Sequence, residues 1–450
     1  MNRIIDYFLQ DWKHKDSRKS LLLRGARQVG KTHSVRKLGT TYEHFVEINF
    51  EVEPLAIKIF EKNLDCKRII RDLNLQFGLD IVPGKTLLFF DECQIAPQAI
   101  MSLRYFYETM PELHIIAAGS LLDFEIEKIG VAVGRVEFLY MYPVSFIEYV
   151  ASTNKSAISY LLDYDETQDQ PEHIHNKFLD AVALYCAIGG MPYPLQRWID
   201  KENARELSTN HIAILDAYRQ DFGKYARKQQ IKYVASIFQE VPKQLGCKFK
   251  YSLVEGDYRK RELTPALDLL VTAGIVHKVK YCAGQGIPIG ADVDNSDYKA
   301  IFLDVALAQA ELDLDIVEWL LHSDQAFVNK GSLIEAFVGQ ELLAYALPNR
   351  KQGLYYWHKE SRSHQAEIDY LVQIHGKIIP IEVKAGTGRT LQSLQHFIQT
   401  HQDSPYGLRF SKNNYSDYEN IKSYPLYAIA QVMSKAHTEI KNAILSLVTP

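Results

Sequence analysis

Cysteine is scarce in this chain, with five in 450 residues and no CxxC pair. Cys66, Cys93, Cys186, Cys247 and Cys282 are scattered and odd in number. That argues against a disulfide framework or a zinc ribbon and fits a reducing compartment. Long apolar runs are missing as well. No segment approaches the ~20 apolar residues of a membrane span, and the opening MNRIIDYFLQDWKHKD has no uninterrupted apolar stretch long enough for a signal peptide. A cytoplasmic chain with no membrane partner is the expectation. Charge of one sign is not in large excess: the net charge is −4, so any nucleic-acid contact has to come from a local patch. Internal repeats and low-complexity segments are absent. What is present is 47% apolar residues, ample for buried cores in a globular protein. The length suits about three domains of roughly 150 residues.

The segment LLLRGARQVGKTHSVRKLG, 21 to 39, runs from an apolar strand through a turn into a helical pattern. Gly25, four residues, then Gly30, Lys31 and Thr32 reproduce the phosphate-binding loop spacing in full. Each part has a physical purpose. Backbone N–H groups from Gly25 through Ala26, Arg27, Gln28 and Val29 to Gly30 can wrap phosphate oxygens, and the helix N-terminus adds a favourable dipole. Lys31 reaches the terminal phosphates and Thr32 ligates Mg²⁺. The position between strand and helix weighs against a chance match in a turn.

A second strand, TLLFFDECQ (86 to 94), has four apolar residues in succession, the pattern of a strand buried on both faces of a parallel sheet. It ends in adjacent acids. Asp91 can hold the Mg²⁺ shell, and Glu92 can orient and polarise an attacking water. Two acids there could instead cap the next helix, but the upstream phosphate loop favours catalysis. Ser120 ends a third apolar run, LHIIAAGSLL (113 to 122), where ligands of open α/β sheets gather. Sensing the γ-phosphate and capping a helix are both open to it. Arg135, in GRVEFLYMYPVSFIEY (134 to 149), is a candidate arginine finger, with a surface salt bridge as the alternative.

The succession GARQVGKT, FFDECQ, AAGSLL, GRVEF and YPVSFIEY resembles a prokaryotic family of AAA-type ATPases. They belong to the additional-strand catalytic-glutamate class, in which the catalytic Glu directly follows the Mg-binding Asp, as Glu92 follows Asp91. The resemblance implies a parallel sheet with flanking helices and ATP or ADP as ligand. It also implies that the helical segment after the core forms a lid over the nucleotide. Residues 151 to 230 do read mainly as helix, with a break at IGGMPYPLQRW (188 to 198), where Gly189, Gly190 and two prolines end one helix and start another.

From 231 to 310 the order is helix, helix, strand, turn and strand, which describes a winged helix. RKRELTPALDLLVTAG has helical spacing and stops at Gly274, as a helix does with a left-handed C-cap. Residues 243 to 280 hold eight Lys or Arg against four Asp or Glu, a local positive excess in an acidic protein. Arg259, Lys260 and Arg261 at the start of the last helix are therefore candidates for DNA phosphates. A solvated helix end on a protein-interaction module is the alternative.

QAEIDYLVQIHGKIIPIEVKAG (365 to 386) reads as a β-hairpin. With His375-Gly376 as a two-residue loop, Tyr370 pairs with Ile381 and Val372 with Ile379. That register sets Asp369 opposite Glu382 and Glu367 opposite Lys384; a three-residue loop would mix the two faces. Opposed carboxylates are destabilising, within roughly 0.2–1 kcal/mol per pair. A solvated face could tolerate that, and a divalent cation between Asp369 and Glu382 would reverse its sign. Lys384 alongside could position a water or stabilise developing phosphorane charge.

An Asp, a hairpin turn and Glu-x-Lys together resemble the PD-(D/E)xK signature of the restriction-endonuclease-like fold, with Ile368 in place of the Pro. Glu335, in the helical segment LIEAFVGQELLAYAL, matches the acid that family often places upstream. YSLVEGDYRKREL, AIFLDVALAQ, LIEAFVGQEL and EIDYLVQIHGKIIPIEVKAG also resemble a C-terminal domain of unknown function usually fused to these ATPases. Other residues are weaker candidates: His33, His173 and His175 are expected at the surface, Trp357-His358 in packing, and 163 to 173 in a loop.

The expected architecture is α/β throughout. An AAA-type P-loop core spans 1–150, a helical lid 151–230, a winged helix 231–310 and a restriction-endonuclease-like domain 311–450. The expected function is Mg²⁺-dependent ATP hydrolysis, with DNA and a homo-oligomer as candidate partners. Two alternatives stand beside it. One is an ATP-regulated DNA endonuclease using Asp369, Glu382 and Lys384. The other is a non-enzymatic switch, in which bound nucleotide orders the C-terminal domain to grip a partner.

Overall fold

The computed structural model describes residues 1–130, 134–163, 169–314, 316, 331–360, 365–386 and 391–448. Its chain divides into two compact units, one of them Asn2–Tyr142 with Leu347–Lys351. This unit is built on strands β1 (Ser20–Arg24), β2 (His44–Asn49), β3 (Thr86–Asp91), β4 (His114–Ala118) and β5 (Val136–Tyr140). All are parallel, in the order β2-β3-β4-β1-β5. The phosphate-loop strand β1 and the acid-bearing strand β3 are thus separated by one strand, β4.

The apolar runs are explained by cover on both faces. Leu22, Leu88, Phe90, Ile115 and Ala117 pack against Phe60, Ile69, Leu103 and Phe106 from helices Pro54–Lys62, Cys66–Phe77 and Pro97–Thr109. On the other face Leu21, Leu23, Phe89 and Ile116 are equally buried, and helix Lys31–Gly39 packs on β2, β3 and β4. Each such Leu, Ile or Phe side chain contributes about 1.5–3 kcal/mol, so the sheet edge that carries the polar residues is held by a stiff base.

The other unit, mainly Pro143–Ala346 and Gln352–Pro450, begins with helices, as expected. The break at Gly189-Gly190 has a specific cause. Asp304 is fully buried; its Oδ2 accepts the Gly190 N–H at 2.6 Å, and its Oδ1 accepts those of Ala306 and Leu307 at 3.0 Å each. One carboxylate therefore meets the chain just past one helix and caps the start of another, Val305–Glu311. A Cβ on Gly189, whose φ is 78°, would stand 2.4 Å from Asp304 Oδ1. Of the polar stretch 163 to 173, residues 164–168 lie outside the described residues.

Helices Ile231–Glu240 and Lys260–Thr272 pack together and lead into an antiparallel pair, β6 (Val276–Cys282) and β7 (Val293–Phe302). The pair is not a free-standing wing. Strand β6 also pairs in parallel with β8 (Leu354–Glu360). The hairpin thereby joins a sheet completed by β9 (Gln365–Ile374), β10 (Lys377–Lys384), β11 (Gly407–Ser411), β12 (Ser416–Tyr418) and β13 (Ile421–Pro425). The order is β12-β13-β11-β10-β9-β8-β6-β7. Helix Gly331–Ala344, the antiparallel run β8-β9-β10, helix Gln392–Thr400 and β11 parallel to β10 follow one another along the chain.

The β9/β10 register is the expected even one, with Val372 opposite Ile379 and Tyr370 opposite Ile381. His375 and Gly376 both take positive φ, 47° and 72°, as a two-residue type I′ loop requires. Strand β10 is no solvated edge. It lies between β9 and β11 and is buried from Ile378 to Val383. Among the described residues no helix is long and apolar enough to cross a membrane.

Candidate nucleotide site and acid–lysine cleft

Glycine is required at both ends of the phosphate loop. Gly25 has φ 147°, and a Cβ there would stand 2.2 Å from the Met141 carbonyl oxygen. Gly30, at φ 101°, precedes helix Lys31–Gly39, and Gln28 between them is also left-handed at 67°. The Lys31 ammonium donates to the carbonyl oxygens of Gly25 and Ala26 at 2.8 and 2.7 Å. Burial lowers its pKa to about 8, against the pull of Glu92 and Asp91.

Thr32 Oγ1 donates to Asp91 Oδ2 at 3.1 Å, and the Glu92 N–H donates to Asp91 Oδ1 at 3.0 Å. Burial, then the neighbouring Glu92, push the Asp91 carboxyl up. Glu92 leaves β3 with φ 51°, and its Oε2 accepts from Gln94 Nε2 at 2.5 Å. A hydroxyl and a carboxylate held this close at the start of a helix suit a hard oxygen-seeking cation such as Mg²⁺.

Two polar residues here escape sequence reading. Asn49 ends β2 directly opposite Asp91, with Nδ2 3.5 Å from Asp91 Oδ2; only the sheet register reveals it. Gln94 holds Glu92, and Gly119 leaves room for it, since a Cβ on Gly119 would lie 2.1 Å from Gln94 Oε1. Ser120 follows β4 at the same sheet edge and is half-buried. Arg135 donates through Nε to Glu108 Oε1 at 2.8 Å on the surface, an ion pair shared with Arg104. Arg24, just before the loop, is fixed by Asp123 and the Tyr140 hydroxyl, each at 2.5 Å.

The C-terminal acids gather around one cleft of about 430 Å³, lined in part by Glu367, Asp369, Glu382 and Lys384, with Lys248 and Lys359 on its rim. Asp369 Oδ2 accepts the Val383 N–H at 2.7 Å, and Lys384 Nζ lies 2.6 Å from Glu382 Oε1. Burial raises the carboxyls of Asp369 and Glu382. Glu382 Oε2 is buried and has no hydrogen-bond partner. Glu335 does approach the group, but its Oε1 pairs with Lys299 Nζ at 2.8 Å. Burial, then Asp369, push its carboxyl up, against the pull of the Lys299 ammonium.

Lys299 is the residue that sequence reading misses. Its side chain is 1% exposed, and it also meets Glu367 and, at 3.8 Å, Asp369 Oδ1. Burial works against its charge, yet Glu335, Asp369 and Glu367 together hold the ammonium well up. Among the described residues no three His, Cys, Asp or Glu side chains form a metal-ligand group. The orphan Glu382 oxygen beside Asp369 is nevertheless the kind of lone pair a divalent cation would satisfy.

Two expectations change. His175 is not a surface residue: it is buried, with Nδ1 2.9 Å from the Tyr427 hydroxyl and Nε2 2.8 Å from the Lys412 carbonyl. Trp357 is core packing, whereas His358 lines the cleft and contacts Asp297 Oδ2 at 3.1 Å. His33 and His173 are exposed, as are Arg259, Lys260 and Arg261.

Residues 17–150 match the family described as AAA domain. Residues 179–317 match a domain of unknown function (DUF8612), and residues 330–429 another (DUF4143). The sheet order, the loop and the first match together make the N-terminal region an AAA-type P-loop domain. Among solved structures, the chain is similar to the Walker-type ATPase paby2304 of Pyrococcus abyssi. Identity is 14%, coverage 68% of this chain and 95% of that one, and the TM-score 0.43. It is similar also to the Orc1 protein of Aeropyrum pernix in complex with DNA, at 14% identity, 70% and 92% coverage and TM-score 0.28. Drosophila ORC bound to DNA follows at 14% identity, 60% and 86% coverage and TM-score 0.25. No curated protein matches the chain.

Proposed function

We propose that this protein is a Mg²⁺-dependent ATPase of AAA type. The observation that carries the reading is the Thr32–Asp91 contact of 3.1 Å, with Glu92 turned out of β3 beside it. Loop N–H groups and Lys31 bind the phosphates, Thr32 and Asp91 hold the ion, and Glu92 orients the water while Gln94 fixes its carboxylate. Bound Mg²⁺ supplies charge neutralisation at the phosphates. Ser120 and Arg135 remain candidates for γ-phosphate sensing and for an arginine finger. In a phosphate-release assay with Mg²⁺, Glu92→Gln should keep ATP binding and lose turnover by about 10²-fold or more. Normal turnover in that variant would overturn the assignment of the base. Tight ADP retention without turnover in the unaltered chain would point instead to the non-enzymatic switch.

The second reading concerns the cleft. The unpartnered Glu382 oxygen, with Lys384 beside it and Lys248 and Lys359 on the rim, favours phosphodiester chemistry on DNA by a restriction-endonuclease-like domain. Asp369 and Glu382 would hold a divalent ion there, and Lys384 would stabilise charge on the phosphate. Helices Ile231–Glu240 and Lys260–Thr272 with the β6/β7 hairpin form a winged helix in this reading, and Arg259, Lys260 and Arg261 touch the backbone. Mg²⁺- or Mn²⁺-dependent plasmid nicking, lost in Lys384→Ala, supports cleavage. Salt-sensitive DNA retention should vanish when the three basic residues become Glu; unchanged retention removes DNA from this face.

A further inference from the structure

Lys299 reaches the cleft from β7, three strands away from β9 in the sheet. Its ammonium stands 2.8 Å from Glu335, in close contact with Glu367, and 3.8 Å from Asp369, with the Tyr356 ring centre 5.2 Å away. One carboxylate neutralises a buried ammonium. Three separate carboxylates crowd this one, more negative charge than a single ammonium neutralises. An independent feature points the same way: Glu382, only 4% exposed, keeps an oxygen with no partner in the same cleft.

We propose that Lys299 is a resident cation of this cluster. Its ammonium, held among Glu335, Glu367 and Asp369, places a fixed positive charge beside Asp369 and keeps the affinity of the cleft for divalent ions at Asp369 and Glu382 low. The inference rests on the cleft reading above and gives Glu335 a role different from a metal ligand: it belongs to the ammonium. A lysine tethered to a strand cannot dissociate as a metal does, so its repulsion toward any divalent ion at Asp369 and Glu382 is permanent.

The probe is Mn²⁺, titrated by calorimetry and electron paramagnetic resonance into the nucleotide-free full chain. Lys299→Met should bind Mn²⁺ more tightly than the unaltered chain by about tenfold or more. Its melting temperature should rise with Mn²⁺, and adding Glu382→Gln should abolish the gain. A folded Lys299→Met chain with equal or weaker Mn²⁺ affinity overturns the proposal. A variant that folds only with Mn²⁺ supports it. If Lys299→Met stays unfolded in both conditions, Glu335→Gln decides: an unchanged Mn²⁺ titration is expected, and a tenfold loss overturns. Failure of the cleft reading has a separate signature. Glu382→Gln alone would then leave the Mn²⁺ binding of the unaltered chain untouched, whatever Lys299→Met does.

Discussion

Thr32 Oγ1 donates to Asp91 Oδ2 across 3.1 Å, so the helix after the phosphate loop and the end of β3 meet at one oxygen. β4 lies between β1 and β3 in the sheet, so the two partners come from strands that are not neighbours. Asn49 approaches the same oxygen from β2. The carboxylate is thus held from two sides before any ion is considered.

Asp91→Asn keeps the shape and a hydrogen-bond acceptor for Thr32 but removes the charge. ATP affinity measured without Mg²⁺ should hold or improve, since a negative charge near the phosphates is gone. The improvement that Mg²⁺ brings should shrink by about tenfold or more. Equal Mg²⁺ stimulation in the two chains would show that Asp91 does not serve the ion.

Lys31 carries a pH signature. Its pKa is lowered by burial from 10.5 to about 8 in the folded chain. Between those values the unfolded chain binds more protons, so stability rises with pH through this window. Below about 8 the full cost of the buried ammonium is present, on the order of 3 kcal/mol. Comparing melting temperatures of the unaltered chain and Lys31→Met from pH 7 to 10.5 isolates the effect: only the former should gain. ATP affinity should move the other way, falling above pH 8 as the ammonium is lost. Parallel melting curves for the two chains would refute the shift.

The phosphate site is legible in the sequence because its parts are local: a strand, six loop residues, a helix start, and two acids at the end of one apolar run. The β9/β10 register is legible for the same reason, since a two-residue turn and a period of two leave one consistent pairing. Lys299 is not. It sits 36 residues before Glu335, and its strand enters the sheet through the parallel β6–β8 pairing, a choice of partner that no local pattern encodes. His175 is hidden likewise, because Tyr427, its hydrogen-bond partner, is 252 residues away. The β6/β7 pair shows the limit from the other side. The alternation in β6 predicts a strand correctly but says nothing about its second neighbour.

Glu341 offers a test of the helical region that no catalytic reading touches. It is buried, accepts the Phe146 N–H at 3.0 and 3.2 Å, and accepts the Tyr345 hydroxyl. Its position is the N-terminus of helix Phe146–Thr153, where negative charge is favoured. Burial nevertheless dominates and raises its pKa from 4.5 to about 8. A raised acid stabilises the fold fully below its unfolded value, and that contribution fades as pH climbs through the folded one. Stability should therefore decline between pH 4.5 and 8 by a few kcal/mol, to order of magnitude. Glu341→Gln keeps an acceptor for Phe146 and a partner for Tyr345 but has no proton to lose. Its melting temperature should stay flatter across that range and exceed the unaltered chain's at pH 8. Glu341→Ala, which strands the Phe146 N–H, should melt lower at every pH. A Glu341→Gln chain that tracks the unaltered one from pH 4.5 to 8 would mean the carboxylate is ionised in place, with the helix N-terminus outweighing burial.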